Sequence, residues 1–119
     1  MIEGFEEVTY ELTDHEKLKV VPSLVAGFNQ MVGKKRAFTN KQICDKLISL
    51  GYEINDARLR KCIHFIRQNH LVPGLIGTAK GYYKAESKEE LEIYLLSLKE
   101  RGRSIQEIIN AIEFDVRTF

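Results

Sequence analysis

The side chains that could bind a charged partner are concentrated in the middle of this sequence. Residues 33–84 carry eleven lysines and arginines and three acidic residues, a net charge of +8. Residues 1–32 and 85–119 have net charges of −4 and −3, so the whole chain carries only +1. A net positive charge confined to one part of a nearly neutral chain predicts a local surface that attracts polyanions such as nucleic-acid phosphates.

Residues that could support catalysis or metal binding are few by comparison. Cys62 and His64 lack a second pair of ligands at the spacing of a zinc site, and Cys44 and Cys62 are better interpreted as small core residues. The sequence has no glycine-rich phosphate loop, no nucleophile elbow and no catalytic triad. We therefore expect no cofactor, no metal and no enzyme activity.

Composition also bounds the location and the domain number. No apolar run approaches the roughly 18–20 residues that cross a bilayer, and the acidic N-terminus lacks the pattern of a secretory signal. Two cysteines are too few for a disulfide scaffold and favour a reducing compartment. We expect a cytoplasmic protein without a membrane partner, built around a single core.

The elements that must position the basic residues begin with a helix. Thr13 and Glu16 form a capping box at its start, and Gly33 is the predicted C-terminal stop. Pro22 interrupts the helix and pushes Val21 away from helical dihedrals, which predicts a kink or two short helices. Apolar residues at helical spacing predict the buried stripe: Leu18, Val21, Val25, Phe28 and Val32.

Two further helices have clear start and stop signals. Thr39 opens a second capping box, and Gly51 is the predicted C-cap of that helix. Its predicted buried stripe consists of Ile43, Leu47 and either Ile48 or Leu50. Asn55 caps the third helix, which should end near residues 69–70. The predicted core face of the third helix consists of Leu59, Cys62, Ile63 and Ile66.

A hairpin and a last helix complete the chain. Residues 71–76 and 82–84 are β-prone and flank a glycine-bounded turn, and Ser87 opens a third capping box. This order predicts a mainly helical α+β fold, a winged helix with a two-stranded wing and a long C-terminal helix. The predicted divisions are an acidic N-terminal arm at 1–12, a winged helix-turn-helix domain at 13–86 and a C-terminal helix at 87–119.

Three predicted surfaces share a basic character. The outward face of the third helix has hydrogen-bonding residues along its centre and arginines beside them, and the start of the second helix and the hairpin tip are also basic. Such side chains reach phosphates or base edges, although a merely solvated helix face is the alternative. The sequence predicts that double-stranded DNA is bound by Lys34, Lys35, Arg36, Thr39, Lys41, Ala57, Arg58, Arg60, Lys61, His64, Gln68, Thr78, Lys80 and Lys84.

The last helix has an apolar seam with steps of four and three residues, as in a coiled coil. The seam predicts a homodimer, and dimeric DNA-binding proteins place their recognition helices about one DNA turn apart. Gly102 could break or bend this helix, and packing on its own domain or on a partner protein is the alternative use of the seam. The predicted dimerisation residues are Leu91, Leu95, Leu98, Gly102, Ile105, Ile109, Ile112 and Val116.

The stretch from Pro73 to Ile105 resembles small winged-helix proteins encoded by bacteriophages and by mobile or prophage regions of bacteria. The residues that carry the resemblance are Ile76, Lys80 to Ala85, Ser87, Glu90, Leu91, Tyr94, Leu98, Arg101 and Ile105, with weaker support from 39–43 and 57–63. The resemblance covers roughly residues 13–110. It implies a DNA-binding role in transcription control or replication of a mobile element, in the cytoplasm of a bacterial or phage-infected cell. The alternative is a winged helix that contacts only proteins.

Overall fold

The computed structural model describes residues 11–119, which form two compact units, one ending at Glu86 and the other comprising Ser87–Phe119. The predicted fold class is confirmed: the chain is mainly helical α+β, with three helices, a two-stranded hairpin and a long C-terminal helix. In chain order, the elements are a π-helical turn (Glu16–Val20), α1 (Val21–Phe28), a 3-10 turn (Lys34–Arg36), α2 (Asn40–Ser49), α3 (Asp56–Gln68), β1 (Leu75–Thr78), β2 (Gly81–Lys84) and α4 (Lys88–Thr118).

The first helical segment begins with the predicted capping box. The Glu16 amide donates to Thr13 Oγ1 at 3.1 Å, and the Thr13 amide donates to Glu16 Oε1 at 2.8 Å. The prediction that Val21 leaves helical dihedrals was wrong, because its φ of −59° and ψ of −48° are helical. Pro22 lies in the first turn of α1, directly after the wider π-helical turn, where its missing N–H interrupts no α-helical ladder.

This segment ends earlier than its apolar spacing predicts. α1 stops at Phe28, and Gly33, with a φ of +92°, instead precedes the 3-10 turn. The chain between them pairs with β2, since the Lys84 amide donates to the Met31 carbonyl at 2.7 Å and the Lys84 carbonyl accepts from the Gly33 amide at 3.0 Å. Val32 is consequently exposed, and Leu18 of the π-helical turn is exposed as well; the buried residues of the segment are Glu16, Val20, Val21, Leu24 and Phe28.

The second and third helices begin and end as the sequence predicts. Thr39 and Asn55 cap them by accepting hydrogen bonds from the amides three residues on, at 3.2 and 2.8 Å. Gly51, at φ +92°, follows α2, and His70, at φ +55°, follows α3. Both residues occupy the left-handed position of a Schellman motif, in which their amides donate to helix carbonyls.

The buried faces of these helices were predicted with one error. Ile48 and Leu50 of the α2 stripe are exposed, and Cys44 is buried beside Ile43 and Leu47 instead. The predicted core face of α3 is confirmed, because each of its four members is at most 3% exposed: Leu59, Cys62, Ile63 and Ile66.

The hairpin is shorter than its β-prone runs. β1 and β2 pair antiparallel from Leu75 opposite Lys84 to Thr78 opposite Gly81, so the strand starts only after Pro73 and Gly74. The edge of β2 that faces away from β1 pairs with the segment that leads into α2. The order of elements, with three helices before the hairpin, is compatible with a winged-helix-like arrangement.

The last helix is continuous from Lys88 to Thr118, so the break considered at Gly102 is absent. Ser87 caps it by accepting a hydrogen bond from the Glu90 amide at 3.2 Å. None of its 31 residues is buried. Across residues 11–119, no helix combines the length and the apolar character that a membrane span requires.

Candidate nucleic-acid interface

The outward face of α3 lines an open groove. Because the opposite face is packed into the core, Arg60, His64 and Gln68 point away from it and are exposed, whereas Ala57 and Lys61 are half-buried. The other wall of the groove comes from the chain before α1: Glu11, Leu12 and Lys17. The five predicted contact residues of this face therefore lie along one surface, which combines two cations with hydrogen-bonding and small side chains.

Arg58 has a different environment from the rest of the predicted set. Its Nε donates to Glu16 Oε2 at 2.8 Å, and its Nη2 donates to Glu16 Oε1 and to the Glu11 carbonyl. Only 14% of the Arg58 side chain and 5% of the Glu16 side chain are exposed. Arg58 was predicted as a DNA contact; in the structure its guanidinium is engaged by Glu16 and by the Glu11 carbonyl, which links residues 11–16 to α3.

The two members of this ion pair stabilise each other's charged form. Hydrogen bonds from Arg58 hold the pKa of Glu16 below its usual value of 4.5, although burial acts in the opposite direction. The same hydrogen bonds raise the pKa of Arg58. Charge-assisted pairs of this kind are strong. Removing one partner is destabilising, because it leaves the other charge buried and uncompensated.

The basic 3-10 turn (Lys34–Arg36), called the basic turn below, lies beside the β1–β2 hairpin. Hydrogen bonds join Gly33 to Lys84 of β2 at 3.0 Å, and Phe38 to Tyr82 of β2 at 3.1 and 2.8 Å. The residues between these two attachment points bulge outward as the 3-10 turn, and all three of them are exposed: Lys34, Lys35 and Arg36.

The tip of the β1–β2 hairpin, residues 78–81, which we call the wing tip, lies against the start of α2. Gly81 has a φ of +120°, and a Cβ placed on it would lie 2.3 Å from the Phe38 carbonyl oxygen and 2.7 Å from the Thr39 nitrogen. Only glycine permits this approach. Lys80 is exposed next to Gly81, and Lys41 is exposed in the first turn of α2. β2 thus brings together the basic turn, the N-terminus of α2 and the wing tip.

Three predicted contact residues are occupied by internal hydrogen bonds. Thr39 Oγ1 serves the α2 capping box, in which it accepts from the Gln42 amide. Thr78 Oγ1 closes the hairpin by accepting from the Lys80 amide at 3.2 Å. Lys84 Nζ donates to Asn29 Oδ1 at 3.1 Å and is half-buried. These three side chains are therefore hydrogen-bonded within the chain.

Sequence reasoning missed two features of the surface. Lys17 and Glu11 line the groove beside α3, although Lys17 was assigned only to the first helix and Glu11 to the N-terminal arm. Arg67, which flanks the outward face in sequence, lies near the hairpin, since a Cβ on Gly77 would be 3.1 Å from Arg67 Nη2. No local pattern signals these placements, because each depends on contacts between elements distant in sequence.

The cysteines lie inside the first unit. Burial raises the pKa of the Cys44 thiol to about 11 and that of Cys62 to about 12, so both are protonated at neutral pH. Cys44 Sγ also lies 3.6 Å from Asp56 Oδ1. Among the described residues, no group of three or more histidine, cysteine or acidic side chains could hold a metal ion.

Comparison of the chain with protein-family models, curated proteins and solved structures finds no match. The resemblance to phage-type winged helices therefore rests on the residues quoted for it above.

Proposed function

We propose that this chain binds double-stranded DNA, with the outward face of α3 entering the major groove and the basic turn and wing tip contacting phosphates. The observation that carries the proposal is the pairing of both edges of β2, which places the basic turn, the start of α2 and the wing tip on neighbouring chain segments. Phosphate contacts set orientation and affinity, and base-edge contacts set sequence preference.

The α3 face has the chemistry that base recognition needs. Arg60, His64 and Gln68 are exposed donors or acceptors on successive turns, and Lys61 lies beside them. The core face of α3 is fully buried, and Arg58 of this helix is paired with Glu16. The outer side chains of α3 therefore project from a fixed backbone. Preorganisation of this kind favours binding because little freedom is lost.

The role that accompanies DNA binding is proposed from the resemblance alone: a regulator or replication accessory factor of a phage or mobile element. We further propose that the protein acts as a homodimer through α4, whose apolar seam is exposed in the single chain. A module that binds only proteins is the second candidate function, and the same exposed seam is the observation that favours it.

Fluorescence anisotropy with labelled duplexes tests the proposal. Lys61→Ala and Gln68→Ala should reduce discrimination between preferred and random sequences, by about 1–3 kcal/mol if each contacts a base. Lys35→Ala should weaken all duplexes by a similar factor, since phosphates carry no sequence information.

Lys19→Ala is the matched control, because it removes one exposed cation from the first helical segment that lines neither the groove beside α3 nor the cavity beside the basic turn. Equal losses for Lys35→Ala and Lys19→Ala would refute the assigned surface. Absence of binding to any duplex at low salt would refute the function itself and leave the protein-binding alternative.

A further inference from the structure

Four aliphatic side chains of the α4 seam are largely exposed in the single chain. Ile105, Ile109 and Ile112 are 52%, 42% and 55% exposed, and Val116 is 74% exposed. They lie in one row of a continuous helix, and a contiguous apolar row of this kind marks an interaction surface. The described chain therefore has an apolar helix face whose partner must be of matching length and apolar character.

Within residues 95–119, the charges that flank the seam change sign along the helix. In the heptad that places Leu91, Leu98 and Ile105 at position d, Glu92 and Tyr94 precede this stretch, and the flanking e and g positions before its midpoint hold Lys99 and Arg101. The equivalent flanking positions after the midpoint hold Glu113 and Asp115. Between them, the flanking residues Gln106 and Ile108 are uncharged.

We propose that the partner is a second copy of α4 running antiparallel, with the twofold axis level with Glu107, which itself lies at the outward-facing f position. This register places Lys99 opposite Glu113 of the other copy and Arg101 opposite Asp115 of the other copy, so both ion pairs form twice. In a parallel dimer, the flanking contacts join Arg101 to Gln106 and Tyr94 to Lys99, and neither is an ion pair. Charge complementarity therefore selects the antiparallel orientation.

Gly102 independently favours the same orientation. A Cβ placed on Gly102 would meet no heavy atom within 4 Å, so the space beside it is open to a partner. The antiparallel register fills that space with Ile112 of the second copy, a large side chain against the smallest. A parallel register would place the two Gly102 residues face to face and leave a void, which costs packing free energy.

The proposed pairing also fixes where the two first units attach. Ser87 lies twenty positions before the axis, so the two copies of Ser87 are about 60 Å apart along the helices at 1.5 Å per residue. The proposed register rests on the dimer proposed above.

Distance measurements between spin labels test the orientation on the full chain. The variants are Glu107→Cys, at the axis, and Ser97→Cys, ten residues before it; both positions are exposed. The buried native thiols should not be labelled, which the unmodified chain checks. We expect a short distance at 107, below about 25 Å, and one above about 30 Å at 97, because the two Ser97 positions are offset by twenty residues.

Short distances at both positions would show a parallel dimer and overturn the inference while leaving the proposed dimer intact. No dipolar signal at either position, with a monomer by light scattering, would overturn both. DNA binding is measured separately by anisotropy, so its failure is distinguishable from either result.

A charge swap gives a second test that needs no label. Changing Lys99 and Arg101 to Glu should raise the dimer Kd at least tenfold, because four ion pairs become repulsive. Adding Glu113→Lys and Asp115→Lys should restore most of the original affinity. Failure of the second pair of changes to restore dimerisation would contradict the antiparallel register.

Discussion

The two units of this chain differ in how far they bury isoleucine side chains. Ile66 on α3 is fully buried within the first unit, whereas Ile112 on α4 is 55% exposed. The first unit packs its three helices and hairpin around a core of its own, but a single long helix has no second layer against which to bury its seam. The first unit therefore covers its apolar side chains within itself, whereas the seam of α4 would be covered only in the dimer proposed above.

The largest expected difference comes from the same substitution in the two units. Ile66→Ala should lower the free energy of unfolding by about 2–5 kcal/mol, because it removes buried packing and leaves a cavity. Ile112→Ala should leave the stability of the dilute monomer within about 0.5 kcal/mol and should instead weaken dimerisation. Urea denaturation followed by circular dichroism, with light scattering, measures both. Similar losses of stability for the two variants would break the comparison.

The buried ion pair offers a smaller effect that is confined to the first unit. Glu16→Gln removes the charge that Arg58 binds and should cost about 1.5–3 kcal/mol, the usual contribution of a hydrogen bond to a charged group. Glu53→Gln is the matched control, because Glu53 is exposed and should change stability by less than about 0.5 kcal/mol. A Glu16→Gln variant as stable as the control would show that the pair contributes nothing.

The ion pair also gives stability a defined pH dependence. Since the pKa of Glu16 in the folded chain lies below the usual 4.5, the pair stabilises the protein fully above about pH 4.5. This contribution is lost as the pH falls through the folded-state pKa, where Glu16 becomes protonated. The wild type and Glu16→Gln should therefore differ in melting temperature at pH 7 and converge as the pH falls below about 4. A difference that persists unchanged at about pH 3 would contradict this assignment.

The smallest expected effect is a stabilisation at the end of α3. His70 has a φ of +55°, a left-handed conformation that favours glycine. His70→Gly should therefore raise the free energy of unfolding by about 0.5–1 kcal/mol, after the added freedom of the unfolded chain is subtracted. His70→Ala is the control and should bring no gain, since alanine is strained in the same conformation. Equal stability of the two variants would argue against strain at this residue.

Local signals in the sequence predicted most of the fold. The capping residues Thr13, Thr39 and Asn55, and the periodic core face of α3, each depend on neighbours within about four positions, so their outcome could be predicted directly. The end of α1 could not be predicted in this way. The helical spacing of apolar residues continues to Val32, but residues 31–33 pair with β2 instead of extending the helix.

The candidate site was predictable in charge but only partly in geometry. The basic residues of α3, the turn and the wing do reach the surface at Lys35, Arg60 and Lys80. Arg58 has the same sequence signal as Arg60, yet it pairs with Glu16 across 42 positions of sequence. Only the packing of the first helical segment against α3 distinguishes these two arginines, and no local pattern encodes that packing.

The proposed binding of duplex DNA by the first unit depends on cations of the basic turn, α3 and the wing tip. The most direct measurement is the dependence of the binding constant on salt concentration. We expect a steep linear fall of log K with log salt, and a slope that becomes less negative by about 0.9 for each phosphate that Lys35→Ala or Lys80→Ala leaves unneutralised. Lys19→Ala should leave the slope unchanged. A wild-type affinity that is insensitive to salt, or a slope that changes only with Lys19→Ala, would contradict DNA binding through these cations.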